Sequence, residues 1–235
     1  MRAFKRFLLA LSLCAGLSLA ETPTAEIWMF NQTSALGGHA TEILGHPQII
    51  DTPIGKAMQF NGIDDALFVN VHPLAGAKTW TWEVIFHPDP DGAPAQRFFH
   101  LSVQDPTTGK DIDDRLLFEI RIVDGQWCLD SFAAASGQSE VLLDCKKLHP
   151  LGKWHRVTAV YDGTTLTNYV NDELQSQGPV DLLPQRPGHS SVGVRINLKD
   201  HFKGAIYEAR FTPHALPEKD FLPLPPEQRP QPASK

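Results

Sequence analysis

Apolar residues in this chain recur in short runs, and no stretch sustains a 3.6-residue apolar period. Runs rich in β-branched and aromatic residues, bounded by Gly, Pro, Asn and Asp, predict strands near 26–30, 57–60, 66–69, 80–87, 97–103, 116–123 and 126–132. Further strands are predicted near 140–145, 155–161, 164–170, 173–177, 191–196 and 204–212. Asp124-Gly125, Asp162-Gly163 and Asn171-Asp172 are two-residue connectors of the kind that close tight hairpins. Alternation is clearest where Trp80, Trp82, Val84 and Phe86 share one face, and where Val157, Ala159 and Tyr161 lie opposite Arg156, Thr158 and Val160. Apolar content on both faces of such strands calls for covered sheets. The pattern predicts an all-β, two-sheet antiparallel β-sandwich, with one short helical turn within 213–221.

The two ends break this pattern. Arg2, Lys5 and Arg6 precede an apolar run from Phe7 to Leu13, and Ser18-Leu19-Ala20 supplies small residues before Glu21. That layout makes 1–20 a signal peptide, so the expected localisation is secreted or periplasmic. Its apolar run is too short to span a bilayer, and no later segment predicts a membrane span. Cys14 is a poor lipidation site because the bulky Leu13 precedes it. The domain is expected over 21–222, and the proline-rich 223–235 is expected to be a disordered tail. Without 1–20 the chain holds 18 Lys and Arg against 27 Asp and Glu, a net charge of −9. Nucleic acid is therefore a poor partner.

Two cysteines follow the signal peptide. If strands near 126–132 and 140–145 pair around Ser136-Gly137, Cys128 and Cys145 fall directly opposite one another. Export to an oxidising compartment then predicts a disulfide.

Four motifs in order carry a family resemblance. Gly55-Lys56-Ala57-Met58-Gln59-Phe60-Asn61-Gly62-Ile63-Asp64-Asp65 resembles the opening segment of LamG-like (laminin G-like), concanavalin A-like jellyroll domains. Thr81-Trp82-Glu83-Val84-Ile85-Phe86 is similar to their next strand, and Gly152-Lys153-Trp154-His155-Arg156-Val157-Thr158-Ala159-Val160-Tyr161-Asp162-Gly163 to their most typical stretch. Gly204-Ala205-Ile206-Tyr207-Glu208-Ala209-Arg210-Phe211 resembles their closing strand. The resemblance runs from about Glu26 to Phe221. It implies two stacked sheets, one of them concave. Members bind glycans or proteins, often with calcium, and some relatives are glycan hydrolases or lyases, so fold alone does not choose among these roles.

Candidate chemistry narrows the choice. Retaining glycosidases of this fold set two carboxylates on one strand face. Here Glu119 shares its strand face with Arg121, and the second carboxylate is missing from that strand. Gly188-His189-Ser190-Ser191-Val192-Gly193 departs from a nucleophile elbow at Val192. The ten histidines lack zinc-motif spacing. Asn61, Asp64 and Asp65 offer hard oxygens on one loop, either as a calcium site or as an Asx turn closing the hairpin. Of the five tryptophans, Trp82 and Trp154 stand at positions the family buries. Trp127 is the candidate ligand platform, against the alternative that it packs over the disulfide. Glu208 and Arg210 share a strand face and read as a pair. The expected function is a secreted, non-catalytic domain that binds carbohydrate. The alternative is a protein-interaction module for an extracellular protein, and a hydrolase or lyase ranks third.

Overall fold

Backbone turns at Asp124-Gly125 and Ser136-Gly137, all four residues at positive φ, fold three consecutive strands into a meander. The computed structural model describes residues 24–229. In chain order its strands are β1 (Glu26–Met29), β2 (Ala35–Leu36), β3 (His39–Leu44), β4 (Gln48–Thr52), β5 (Gly55–Asn61) and β6 (Ala66–Val69). There follow β7 (Trp80–Pro88), β8 (Ala95–Gln104), β9 (Asp111–Val123), β10 (Gln126–Ala135), β11 (Gln138–Leu143) and β12 (His149–Pro150). The last are β13 (His155–Tyr161), β14 (Thr165–Val170), β15 (Glu173–Pro179), β16 (Gly188–Val192) and β17 (Lys203–Thr212). One sheet runs β15-β14-β13-β7-β17-β5-β4, with β1 sharing the edge of β17 beside β5. The second runs β11-β10-β9-β8-β16-β6-β3-β2, with β12 beside the start of β10. Each ladder within them is antiparallel, so the fold is the two-sheet sandwich that the alternation implied.

The inner faces interlock through aromatic rings. Trp82 of the first sheet stacks on Phe118 of the second at 4.1 Å, and Phe86 stacks on Phe98 at 4.5 Å. Such stacked pairs contribute about 0.5–1.5 kcal/mol beyond the burial of their area. β2, β3 and β4 lie where the sequence predicted no strand. Apart from the buried Leu36, their side chains are exposed or half-buried, which leaves little apolar alternation to read. β16 ends at Val192, earlier than the predicted 191–196. Gly193 turns the chain at φ +83°, and a Cβ there would meet the Phe60 ring at 2.4 Å.

The outer face of the first sheet is roofed by the chain itself. Thr81 Oγ1 accepts the Leu216 N–H at 2.8 Å and donates to the His214 carbonyl at 3.0 Å. Beyond a single 3-10 turn, Leu222 packs with Ala57, Ile85, Trp154 and Ala205. Glu83, fully buried, accepts the Leu222 N–H at 2.6 Å and pairs with Arg210. Arg156, also buried, donates to the Leu222 carbonyl and to Asp172 Oδ1. The pair read as Glu208–Arg210 is thus Glu83–Arg210, because β7 sets Glu83 directly across from Arg210.

Single 3-10 turns at Glu218–Asp220 and Pro226–Gln228 shape this roof. It corrects the expectation of a disordered tail from Pro223. As far as Arg229 the segment is laid down, with Gln228 donating to the Trp154 carbonyl at 3.0 Å and Pro225 buried. Proline lowers the entropy of the extended chain before it docks, so a proline-rich composition is compatible with an ordered strap. The signal-peptide assignment, and the rest of the expected tail, lie outside the described residues.

Candidate functional site

With the first sheet roofed, the outer face of the second sheet is the broad surface left open. Alternation along β9 sends Leu116, Phe118 and Ile120 inward and Arg115, Leu117, Glu119 and Arg121 outward. On β10 it sends Trp127, Leu129 and Ala133 inward and Cys128, Asp130 and Phe132 outward. Arg97 reaches the same face from β8, and Arg195 from the turn after β16. Together they line a depression of about 210 Å³.

The hairpin at Asp124-Gly125 sets Glu119 directly opposite Asp130. The carboxylate missing from Glu119's own strand is therefore supplied by the neighbouring one. Both are largely buried and tied to guanidinium groups. Arg121 Nη2 lies 2.9 Å from Glu119 and 2.6 Å from Asp130, and Arg97 Nε donates to Glu119 at 2.7 Å. Arg97 is also paired with Asp200. Burial raises the Glu119 pKa, with Arg97 opposing it and Asp130 adding to it. Arg121 thus bridges the two carboxylates.

Arg115 lies 4.3 Å over the half-buried Phe132 ring, a cation–π contact that stiffens the one aromatic ring lining the depression. A ring beside clustered hydrogen-bonding groups is what a sugar needs: an apolar surface for its face and fixed polar partners for its hydroxyls.

Trp127 is not part of this face. It is fully buried, donates to the Pro150 carbonyl at 3.2 Å and packs on Phe86, His149 and His155. It offers no ring to a ligand, and it points away from the disulfide because Cys128 follows it on the strand. Trp28, Trp80, Trp82 and Trp154 are buried as well. Cys128 and Cys145 are joined, with their Cα atoms 5.1 Å apart.

The 61–65 loop takes the Asx-turn form. Asn61 Oδ1 accepts the N–H groups of Ile63, Asp64 and Asp65, and its amide donates to Asp64 at 2.7 Å. Asp65 accepts from the His46 and Asn61 N–H groups. A calcium ion there would have to displace these donors. Among the described residues no group of three His, Cys, Asp or Glu is placed to hold a metal.

Among the described residues four histidines, His72, His100, His149 and His155, are buried. His72 is buried with neither ring nitrogen hydrogen-bonded, and burial lowers its pKa to about 4. An unfolded His titrates near 6.5, so between pH 6.5 and 4 the unfolded chain binds the extra proton. This contribution is fully present above that window and is lost as pH falls through it. His155 acts in the same sense. Glu83, Glu119 and Glu208, whose burial raises their pKa, act in the opposite sense, so the parent protein alone does not isolate the effect. Urea unfolding of the parent and of His72→Leu at pH 7 and pH 4.5 isolates it. The parent should lose about 2–3 kcal/mol more than the variant over that interval. Equal losses would show that His72 does not govern the acid side.

The family described as the concanavalin A-like lectin/glucanases superfamily matches residues 61–220. No curated protein sequence matches the chain. Domain 4 of AbnA, a GH43 extracellular arabinanase from Geobacillus stearothermophilus, was solved with arabinotriose. It superposes with a TM-score of 0.59 at 19% identity, over 83% of this chain and 94% of that one. The binding domain of botulinum neurotoxin serotype D gives 0.59 at 15% identity, over 83% and 49%. That of botulinum neurotoxin DC, in complex with SialylT, gives 0.59 at 12%, also over 83% and 49%. This chain thus spans about half the length of the toxin domains. At these identities the likeness is one of fold.

Proposed function

This chain belongs to the concanavalin A-like lectin/glucanases superfamily, and we propose that it is an exported domain that binds carbohydrate on the open face of its second sheet without cleaving it. The observation that carries this reading is the division of labour between the sheets. The first sheet's outer face is closed by the chain's own strap, whereas the second presents Phe132 beside Arg97, Glu119, Arg121 and Asp130. Structural neighbours solved with arabinotriose and with SialylT support a sugar as the ligand class. The disulfide is consistent with an oxidising compartment, and among the described residues no helix is long and apolar enough to cross a membrane. Binding without cleavage is supported by Arg121, which ties Glu119 and Asp130 together where a nucleophile and an acid would have to act separately.

A second reading, a glycan hydrolase, is favoured by one observation, the Glu119–Asp130 juxtaposition with Glu119 raised in pKa. Calorimetric titration against a polysaccharide panel, run beside a reducing-end assay, separates the two. Tryptophan fluorescence would be a poor reporter because all five rings are buried. We expect heat of binding and no release of reducing ends, with Phe132→Ala weakening binding at least about tenfold, or about 1.4 kcal/mol. Sugar release that Glu119→Gln abolishes would replace binding by hydrolysis. Silence on every glycan, with a single extracellular protein recovered by pull-down, would favour the protein-interaction module.

A further inference from the structure

The four arginines of the open face are not alike. Arg97 and Arg121 are neutralised by Glu119, Asp130 and Asp200. Arg115 and Arg195, which line the same depression, are not. Arg115 has only the fully exposed Asp113, at 3.7 Å, and among the described residues Arg195 has no acidic partner within ion-pair distance. The Nε atoms of both are buried without a hydrogen-bond partner.

A third orphan donor stands beside them. His100, 1% exposed, is the cross-strand partner of Leu117 on β9 and of Ser191 on β16, so its ring lies on this outer face. Its Nδ1 accepts the Ile196 N–H at 3.0 Å, which leaves the proton on Nε2, and Nε2 has no partner. Burial first, then Arg195 and Arg115, hold this ring well below its usual pKa, so it is a neutral donor. The Arg195 end is held in place: its carbonyl accepts the Leu198 N–H at 2.8 Å, and its N–H reaches the Lys199 carbonyl. Arg195 without an acidic partner, Arg115 with one exposed and distant, and a buried imidazole N–H leave positive charge and unmade hydrogen bonds that an oxyanion would satisfy together.

We infer that the His100–Arg115–Arg195 corner holds the acidic substituent of a polysaccharide, a uronate carboxylate or a sulfate ester, while the Phe132 side of the depression holds the sugar ring. This rests on the carbohydrate reading and makes it more specific. Planar guanidinium forks match both oxyanions, so the corner by itself does not choose between carboxylate and sulfate.

The test is calorimetry with oligogalacturonate and its methyl-esterified form, and with dextran sulfate and dextran. The parent protein is compared with Arg115→Gln and Arg195→Gln, and melting temperatures monitor folding. Removing one of two like charges relieves repulsion, so neither variant should melt earlier by more than a few degrees. At least one acidic polymer should bind about tenfold or more tightly than its neutral counterpart, and each variant should lose that margin; Arg195→Gln should keep the neutral affinity, whereas Arg115→Gln also loses the cation–π contact with Phe132 and should weaken neutral binding as well. A preference confined to oligogalacturonate assigns the carboxylate, and one confined to dextran sulfate assigns the sulfate ester. Equal binding of acidic and neutral forms overturns the inference and leaves the carbohydrate reading standing. So does an acidic preference that both variants retain, since diffuse surface charge would then account for it. If no polymer binds, the carbohydrate reading falls. The corner is then judged by inorganic sulfate alone, which must raise the melting temperature of the parent and not of Arg195→Gln.

Discussion

Replacing Glu83 by alanine should destabilise the fold by about 3–5 kcal/mol, the cost of breaking one side of a buried ion pair. Glu83 is fully buried on the outer face of the first sheet, and both of its oxygens are engaged. Oε2 takes Arg210 Nε at 2.6 Å, and Oε1 takes the Leu222 N–H at 2.6 Å. Alanine leaves Arg210 without its carboxylate and the Leu222 N–H, in a buried residue, without an acceptor, so two unmet polar groups add to the lost packing. Glu83→Gln keeps one acceptor, enough for Leu222, but turns its NH2 donor toward Arg210, so its cost should be smaller than that of alanine yet still about 1–3 kcal/mol. Urea unfolding measures both. Hydrogen exchange at the Leu222 amide should accelerate in the alanine variant well before global unfolding does, because the strap is what the residue holds. The affinity of the second sheet's face for its ligand should not change, since no Glu83 contact reaches that face. An alanine variant within about 1 kcal/mol of the parent would mean that the strap is not held through this pair.

The same network shows why fold and site were unequally legible in the sequence. Period-two alternation over β7 and β13 suffices to give a sandwich, because alternate residues face the core whatever the partner strand is, even though the strap buries the other face as well. The hairpins were legible where turn chemistry sets register: Asp124-Gly125 and Ser136-Gly137 fix β9, β10 and β11 without any long-range knowledge. The same register places Trp127 on the face opposite Cys128, hence inward, and Asp130 across from Glu119; the sequence neighbours of Trp127 and a carboxylate pattern confined to one strand report neither.

Other parts carried no local signal at all. Glu83 reads as an ordinary outward strand residue until the strap from 213 to 229 covers it. Arg195 and His100 come together through the pairing of β8 with β16, which are separated in sequence by β9 to β15. No periodicity reports which turn will lie over which strand. The 61–65 loop was legible as chemistry but ambiguous as structure, since the oxygens that would ligate calcium are the same ones that close an Asx turn.

Removing the disulfide as Cys128→Ala/Cys145→Ala should cost about 3 kcal/mol, the chain-entropy value for a loop of this size. The two cysteines are 17 residues apart, and the bridge spans the β10–β11 hairpin at its open end. Alanine is the suitable replacement because Cys128 is fully buried, where a serine hydroxyl would add an unmet polar group. β11 is the edge strand of the second sheet, hydrogen-bonded to β10 alone, with Val141 and Leu143 largely exposed. It has little burial of its own to keep it in place once the covalent tie is gone. Amide exchange across Gln138–Leu143 should therefore rise more than the global loss accounts for. Asp130 is two residues from Cys128 on the same face, and Arg121, paired with Asp130, is the cross-strand partner of Cys128. Loosening this edge should thus weaken ligand binding as well as stability, by the same hairpin motion. Dithiothreitol should bring the parent's unfolding midpoint down to that of the double variant and leave the variant where it is. If the reductant shifts neither protein, the bridge contributes nothing to folding, and the edge of the binding face is held by hydrogen bonds alone.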